Sequence, residues 1–145
     1  AQGYKYFLEE DGNRLRTHKG DISISTTEWN ICPETHNNNY PNGFQIFQTE
    51  EDMKEWLNDI PITQGRYGEE PLKQILKDIM ELITEKPMRV RAYLIEYEEE
   101  LQTKKIPNVM FHQYYVQKDE TNEDFKRWYE IKIAKKIKLI KEVEI

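Results

Sequence analysis

Cysteine is nearly absent from this chain of 145 residues. Cys32 stands alone, which excludes an internal disulfide framework and fits a reducing compartment. Serine is almost as scarce: Ser23 and Ser25 are the two present, neither sits in a Gly-x-Ser-x-Gly turn, and a nucleophilic triad has no residue to start from. The six glycines form neither a Gly-x-x-x-x-Gly-Lys loop nor a Gly-x-Gly-x-x-Gly turn, which disfavours the common nucleotide folds. No apolar run approaches the ~20 residues that a membrane-spanning helix needs. Ala1-Gln2-Gly3-Tyr4-Lys5 carries no signal-type apolar stretch, so a soluble, cytoplasmic protein without membrane association is expected.

What is present suits one compact domain over residues 1–145. The apolar fraction is only 37% and the charged fraction 33%, yet three Trp, nine Tyr and five Phe supply the large side chains that a core needs. The net charge of -6 argues against direct nucleic-acid binding, which requires a basic surface. Charge is unevenly spread: residues 125–145 hold seven basic and three acidic side chains, a local charge of +4 against -10 for the remainder. That polarity suggests an acidic face turned toward a partner, although acidic surfaces more often serve solubility alone.

Tyr4, Tyr6 and Leu8 alternate with Lys5 and Glu9, and Asp11-Gly12-Asn13 supplies turn chemistry before Arg14-Leu15-Arg16, the pattern of a hairpin. Residues 22–26 alternate as another short strand, and 29–42, rich in Asn, read as a loop. The clearest junction is Gly43 to Gln48, a buried strand entering a helix with Thr49 as N-cap and Glu50, Glu51 and Asp52 in the first turn. In that helix Met53, Trp56, Leu57 and Ile60 make one apolar stripe, ended by Pro61. Residues 62–70 read as an exposed connection. Pro71 suits the first position of a second helix, whose apolar face comprises Leu72, Ile75, Leu76, Ile79, Leu82 and Ile83, widened by Met80, until Pro87. Val90 to Tyr97 is apolar on both faces and predicts a strand inside the sheet. Residues 98–107 read as a polar connection, 109–116 as an aromatic strand and 118–124 as a charged turn. From Tyr129 the odd positions Tyr129, Ile131, Ile133, Ile137, Leu139, Val143 and Ile145 are apolar, a period of two, with Lys135 breaking the alternation and predicting a bend at Ala134-Lys135-Lys136 that splits the run into two pairings. The sum is an α+β fold: a mostly antiparallel sheet of about five to seven strands with two helices packed on one face.

Cys32 and His36 have metal-ligand spacing, with His18 as a third candidate, but no fourth ligand is supplied, so no metal is expected and a packed Cys and a loop His are the commoner uses. His112, inside a strand, is given no role. The runs Glu9-Glu10, Glu50-Glu51-Asp52 and Glu98-Glu99-Glu100 are ordinarily helix-start or solvated charge rather than a catalytic pair. No catalytic residue and no cofactor emerge. Two binding constellations remain. Arg14 and Arg16, with His18 and Lys19, stand just before a segment containing Trp29, His36 and Tyr40, and cationic forks beside aromatics suit a nucleotide-like ligand. The bland use of the same arginines is the wet face of a hairpin. Tyr93, Tyr97, Tyr114, Tyr115 and Trp128 offer aromatic surface for a protein partner, though sheet core is the commoner use.

The order of pieces Tyr4-Lys5-Tyr6 with Gly12, then Trp29, Gly43-Phe44-Gln45-Ile46-Phe47, Glu50-Glu51-Asp52-Met53 and Ala134-Lys135-Lys136-Ile137-Lys138-Leu139 resembles a loose group of small phage and prophage proteins. The chain departs from that group by inserting the helix of residues 71–85 and by placing Ile137 where Leu is expected. The resemblance implies a phage-type accessory protein of a bacterial host cell, and no established chemistry. The expected function is therefore binding: inhibition or modulation of a host or defence protein, with the acidic run Glu98, Glu99 and Glu100 as the partner-facing residues. The alternative is a module that binds or sequesters a nucleotide-like signal through Arg14, Arg16, Trp29, His36 and Tyr40. An exposed strand over 109–116 would also permit a homodimer.

Overall fold

The computed structural model describes residues 1–10, 12, 14–18, 21–34, 43–63, 66–67, 69–107 and 128–145. The elements are β1 (Gln2–Glu10), β2 (Arg14–Arg16), β3 (Ser23–Ile24), β4 (Asn30–Ile31), β5 (Phe44–Phe47), α1 (Glu50–Asn58), β6 (Ile62–Thr63), β7 (Arg66–Tyr67), α2 (Leu72–Thr84), β8 (Met88–Pro107) and β9 (Trp128–Val143). The fold is α+β, with a seven-stranded antiparallel sheet and two helices on one of its faces, as the sequence predicts. β6 and β7 pair as a small separate hairpin within the stretch read as a plain connection.

The sheet closes on itself. β8 pairs with β1 along one edge and with β9 along the other, and β5 bridges β1 to β9 on the far side, so the path β1–β5–β9–β8 returns to β1. β2 and β3 extend from β1, and β4 from β9. Closure gives two cores. Phe7, Leu15, Ile24, Cys32, Phe44, Ile46, Tyr93, Ile95, Tyr97, Ala134, Ile137 and Leu139 pack on the helix-free face. Phe47, Met53, Trp56, Leu57, Leu72, Leu76, Ala92, Ile106, Tyr129 and Ile131 pack beneath the helices. β8 is apolar on both faces because it separates these cores, which confirms the central placement expected for residues 90–97.

Residues 98–107 are strand rather than connection: β8 runs unbroken to Pro107, paired with β9 throughout. Its polarity misleads because charged side chains here are met across the ladder, Glu98 lying opposite Lys136 and Thr103 opposite Lys132, and two irregularities, at Leu94/Ile95 and Glu100/Gln102, let so long a ribbon curl. Leu101 and Ile140 fall at those irregularities and are exposed. The break at Lys135 divides the outer edge of β9 between two pairings, as the sequence predicts. There the outer edge of β9 changes partner, from β5 at residues 131–134 to β4 at 136–137, and the Cys32 N–H donates to the Lys135 carbonyl at 2.8 Å.

β4 lies inside the segment read as a loop, and one side chain explains how so short a strand holds. Asn30 is buried; its Oδ1 accepts from the Ser25 N–H at 2.8 Å, and its Nδ2 donates to the Ser25 carbonyl at 3.1 Å, so the amide mimics a strand pair across the turn. Thr49 caps α1, accepting from the Asp52 N–H at 3.1 Å, as the sequence predicts. Asp59 then ends the helix, leaving Ile60 outside it and half exposed rather than on its apolar stripe. Pro71 is the N-cap of α2 rather than its first residue, with extended ψ of 149°.

Glycine makes the crossing of β5 possible. A Cβ at Gly3 would lie 2.5 Å from Ile46 Cγ2 and 2.9 Å from the Phe47 carbonyl oxygen, and one at Gly43 would lie 2.5 Å from Ile133 Cγ2. Ile46 can turn, but a backbone carbonyl cannot. Gly3→Ala is expected to cost about 1–3 kcal/mol through overpacking at the β1–β5 contact, read as a lower urea midpoint with an unchanged m-value.

Candidate functional site

The paired arginines do share a face of β2, as alternation requires, but that face is already neutralised. Arg16 is buried, and its guanidinium reaches Glu10 Oε2 through Nη1 at 2.8 Å and Asp21 Oδ1 through Nη2 at 2.7 Å. Arg14 donates from Nε to Ser23 Oγ at 2.6 Å and from Nη2 to Asp21 Oδ1 at 3.1 Å. Glu10 also binds Lys86 Nζ at 2.7 Å, and the hydrogen bond from Lys86, with that from Arg16, holds its carboxyl below the usual range. A phosphate would have to displace two carboxylates from these forks. The arrangement ties the β1–β2 hairpin to β3 and to the start of β8, with Asp21 reaching back from its left-handed turn conformation (φ 48°).

Trp29 is partly exposed just before β4, on the same side as the exposed Ile31. His36 and Tyr40, the remaining members of the ligand constellation, lie outside the described residues, as do Lys19, His112, Tyr114, Tyr115 and the strand expected over 109–116. Among the described residues no group of three His, Cys, Asp or Glu side chains could hold a metal ion. His18 Nδ1 lies 3.5 Å from the Tyr6 hydroxyl, whose ionisation burial pushes upward.

The acidic run is a ladder partner before it is a surface. Glu98 lies opposite Lys136 in register; Glu99 reaches Lys136 Nζ at 3.7 Å, and Glu100 binds Lys132 Nζ at 2.9 Å. Glu99 takes a left-handed backbone conformation (φ 59°) in mid-strand. The charge asymmetry between the two ends of the chain is thus largely local complementarity: the acidic stretch of β8 and the basic stretch of β9 are neighbouring strands.

The feature that sequence reasoning missed is at the end of α2. Leu72, Leu76 and Met80 are buried, but Leu82 and Ile83 are 80% and 69% exposed. Helical periodicity places Ile83 near the buried stripe, and the failure lies in what is underneath. Met80 packs on Leu8, near the end of β1, and on Met88, the first residue of β8. One helical turn further, the sheet has ended. The signal available in the sequence was the brevity of the link from Thr84 to Met88, which forces the helix terminus beyond the strand it precedes. A shallow depression on the solvent side of α1 is lined by Glu50, Glu51, Lys54, Glu55 and Asn58.

Comparison with protein-family models, with curated proteins and with solved structures yields no match. No helix among the described residues is long and apolar enough to cross a membrane.

Proposed function

We propose that this chain acts by binding another protein, as a small acidic accessory factor of phage type that inhibits or modulates a host or defence protein. The observation that supports this reading is the exposed pair Leu82–Ile83. Two adjacent large aliphatic side chains stand in water at the end of a regular helix, the most exposed of the large apolar side chains among the described residues. Exposed apolar side chains gathered at one place and rimmed by charge are what an interface centre requires. Here Asp78, one turn before Leu82 on the same face of α2, supplies charge beside the pair. A helix end presents this pair without unfolding anything, so the partner meets a preformed surface. The complex is expected to bury about 1,600 Å² in total.

Native mass spectrometry of protein recovered gently from a lysate of its cell of origin tests this, using the wild type beside Leu82→Glu/Ile83→Lys. A stoichiometric protein held by the wild type and absent from the variant is the expected result. The variant should unfold at the wild-type midpoint, since neither side chain contributes to a core. A partner retained equally by both proteins would remove the α2 terminus from the reading, and no retained protein under conditions that preserve weak complexes would overturn it.

A further inference from the structure

Lys5 faces the wrong way for a lysine. Strand alternation puts it on the helix-free side with Phe7, and it is only 9% exposed. Its Nζ donates to the Gln45 carbonyl oxygen at 2.9 Å and lies 5.8 Å and 6.0 Å from the ring centroids of Phe7 and Phe44. Gln45 belongs to β5, and the seam from β1 to β5 is thin. Tyr4 opposite Phe47 is its one register pair among the described residues, and Lys5, Tyr6 and Phe7 have register partners on β8 alone. The lysine side chain therefore supplies the polar tie that a second backbone pair would have made.

We propose that Lys5 makes the β1–β5 seam a proton-sensitive latch: proton uptake at Nζ favours the opened seam, where the ammonium reaches water, and proton loss favours the closed one. An ammonium among aromatic rings with a carbonyl as its acceptor is poorly solvated, whereas the neutral amine keeps its hydrogen bond to Gln45 at no charge-burial cost. Burial accordingly brings the amine down from the ordinary lysine value to about 8, a fall partly offset by the nearby Cys32. The closed state thus binds fewer protons than the open state between about pH 8 and the ordinary lysine value, so closure strengthens as pH rises through that window and weakens as pH falls toward its lower end.

Among the described residues, the titratable groups facing Lys5 are Cys32, beside β4, and Tyr93, its register partner on β8; β5 contributes the Phe44 ring and the Gln45 carbonyl. Lys135 acts on Cys32 in turn. Burial pushes both the Cys32 thiol and the Tyr93 hydroxyl upward, so their ionisation favours opening at still higher pH, opposite in sign to Lys5. From pH 7 to pH 9 the Lys5 effect is the larger of the two, because the thiol in the opened state ionises only toward the upper end of that window and offsets part of the fall.

Cys32 lines the same core and is buried, so an alkylating reagent reaches its sulfur when that core opens. Its labelling rate, divided at each pH by that of a small free thiol, reports opening. The expected result is opening on the order of tenfold rarer at pH 9 than at pH 7 in the wild type, and no such fall in Lys5→Met. A flat wild-type profile, or the same fall in Lys5→Met, overturns the proposal. Should Lys5→Met not fold, the NMR titration of the Lys5 Cε protons in the wild type decides alone: a midpoint near 8 supports the latch, and one at the ordinary lysine value overturns it.

Discussion

Trp56→Ala is expected to lower the stability of the fold by about 3–5 kcal/mol, the range for truncating a large buried aromatic. Trp56 is the anchor of α1. Its indole stacks on Tyr6 with centroids 5.5 Å apart and tilts against Phe47 at 5.6 Å, and Phe47 passes the contact edge-on to Tyr129. Those residues sit on β1, β5 and β9, so one side chain joins the helix directly to two strands of the closed sheet and, through Phe47, to a third. The nine residues of α1 are too few to hold a helix in water unaided, so loss of the anchor should melt the helix locally as well as lower the global midpoint. Urea unfolding followed by far-ultraviolet circular dichroism checks both: a lower midpoint, and a reduced helical signal before the main transition. Trp56→Phe keeps a ring against Tyr6 and should lose less than half as much. Equal losses for Ala and Phe would mean that the indole edge, rather than its area, carries the contact.

This anchor was legible in the sequence, and the reasons separate what could be read from what could not. Met53, Trp56 and Leu57 fall on one stripe, Thr49 and three acids mark the helix start, and β1 and β9 alternate with period two; these are local signals with one structural meaning each. The residues that were misread fail for a common reason, which is that their environment is set by a distant strand. Glu98, Glu99 and Glu100 look like solvated loop until Lys132 and Lys136 are laid opposite them. Lys5 looks like the outer face of a hairpin until β5 closes over it. Gly3 and Gly43 carry no local turn signal at all, because their smallness serves the crossing of β5 over β1 and β9. Arg14 and Arg16 keep the geometry the hairpin gave them, but Glu10, Asp21 and Lys86, from three different segments, determine what that geometry is for. The short strand β4 depends on a single amide, Asn30, which propensity does not rank as a strand former. Closure of the sheet is a non-local event, and the candidate interface at Leu82 and Ile83 is its by-product: a helix one turn longer than the sheet it covers.

The same closure predicts a large effect at Arg91, whose guanidinium binds Glu9 on β1 and Glu142 on β9 and so clamps β8 between both of its neighbours. Glu9 is buried, and beyond Arg91 its cationic neighbour is Arg89 at 4.0 Å, a mostly exposed side chain at the limit of an ion pair. The hydrogen bonds from Arg91 hold the Glu142 carboxyl below the usual range, and those to Glu142 and Glu9 raise the arginine above its ordinary value. Arg91→Ala therefore leaves the Glu9 carboxylate in a poorly solvated position with its main partner gone, at an expected cost of about 3 kcal/mol. Replacing both partners by apolar residues of similar length, Glu9→Leu with Arg91→Met, removes the stranded charge along with the pair. That double variant should be clearly more stable than Arg91→Ala and fall near the wild type, because a buried ion pair gains little over good apolar packing. A double-mutant cycle in urea measures the coupling. If the double variant is as unstable as the sum of its single changes, Glu9 and Arg91 act independently, and the clamp reduces to the surface pair between Arg91 and Glu142.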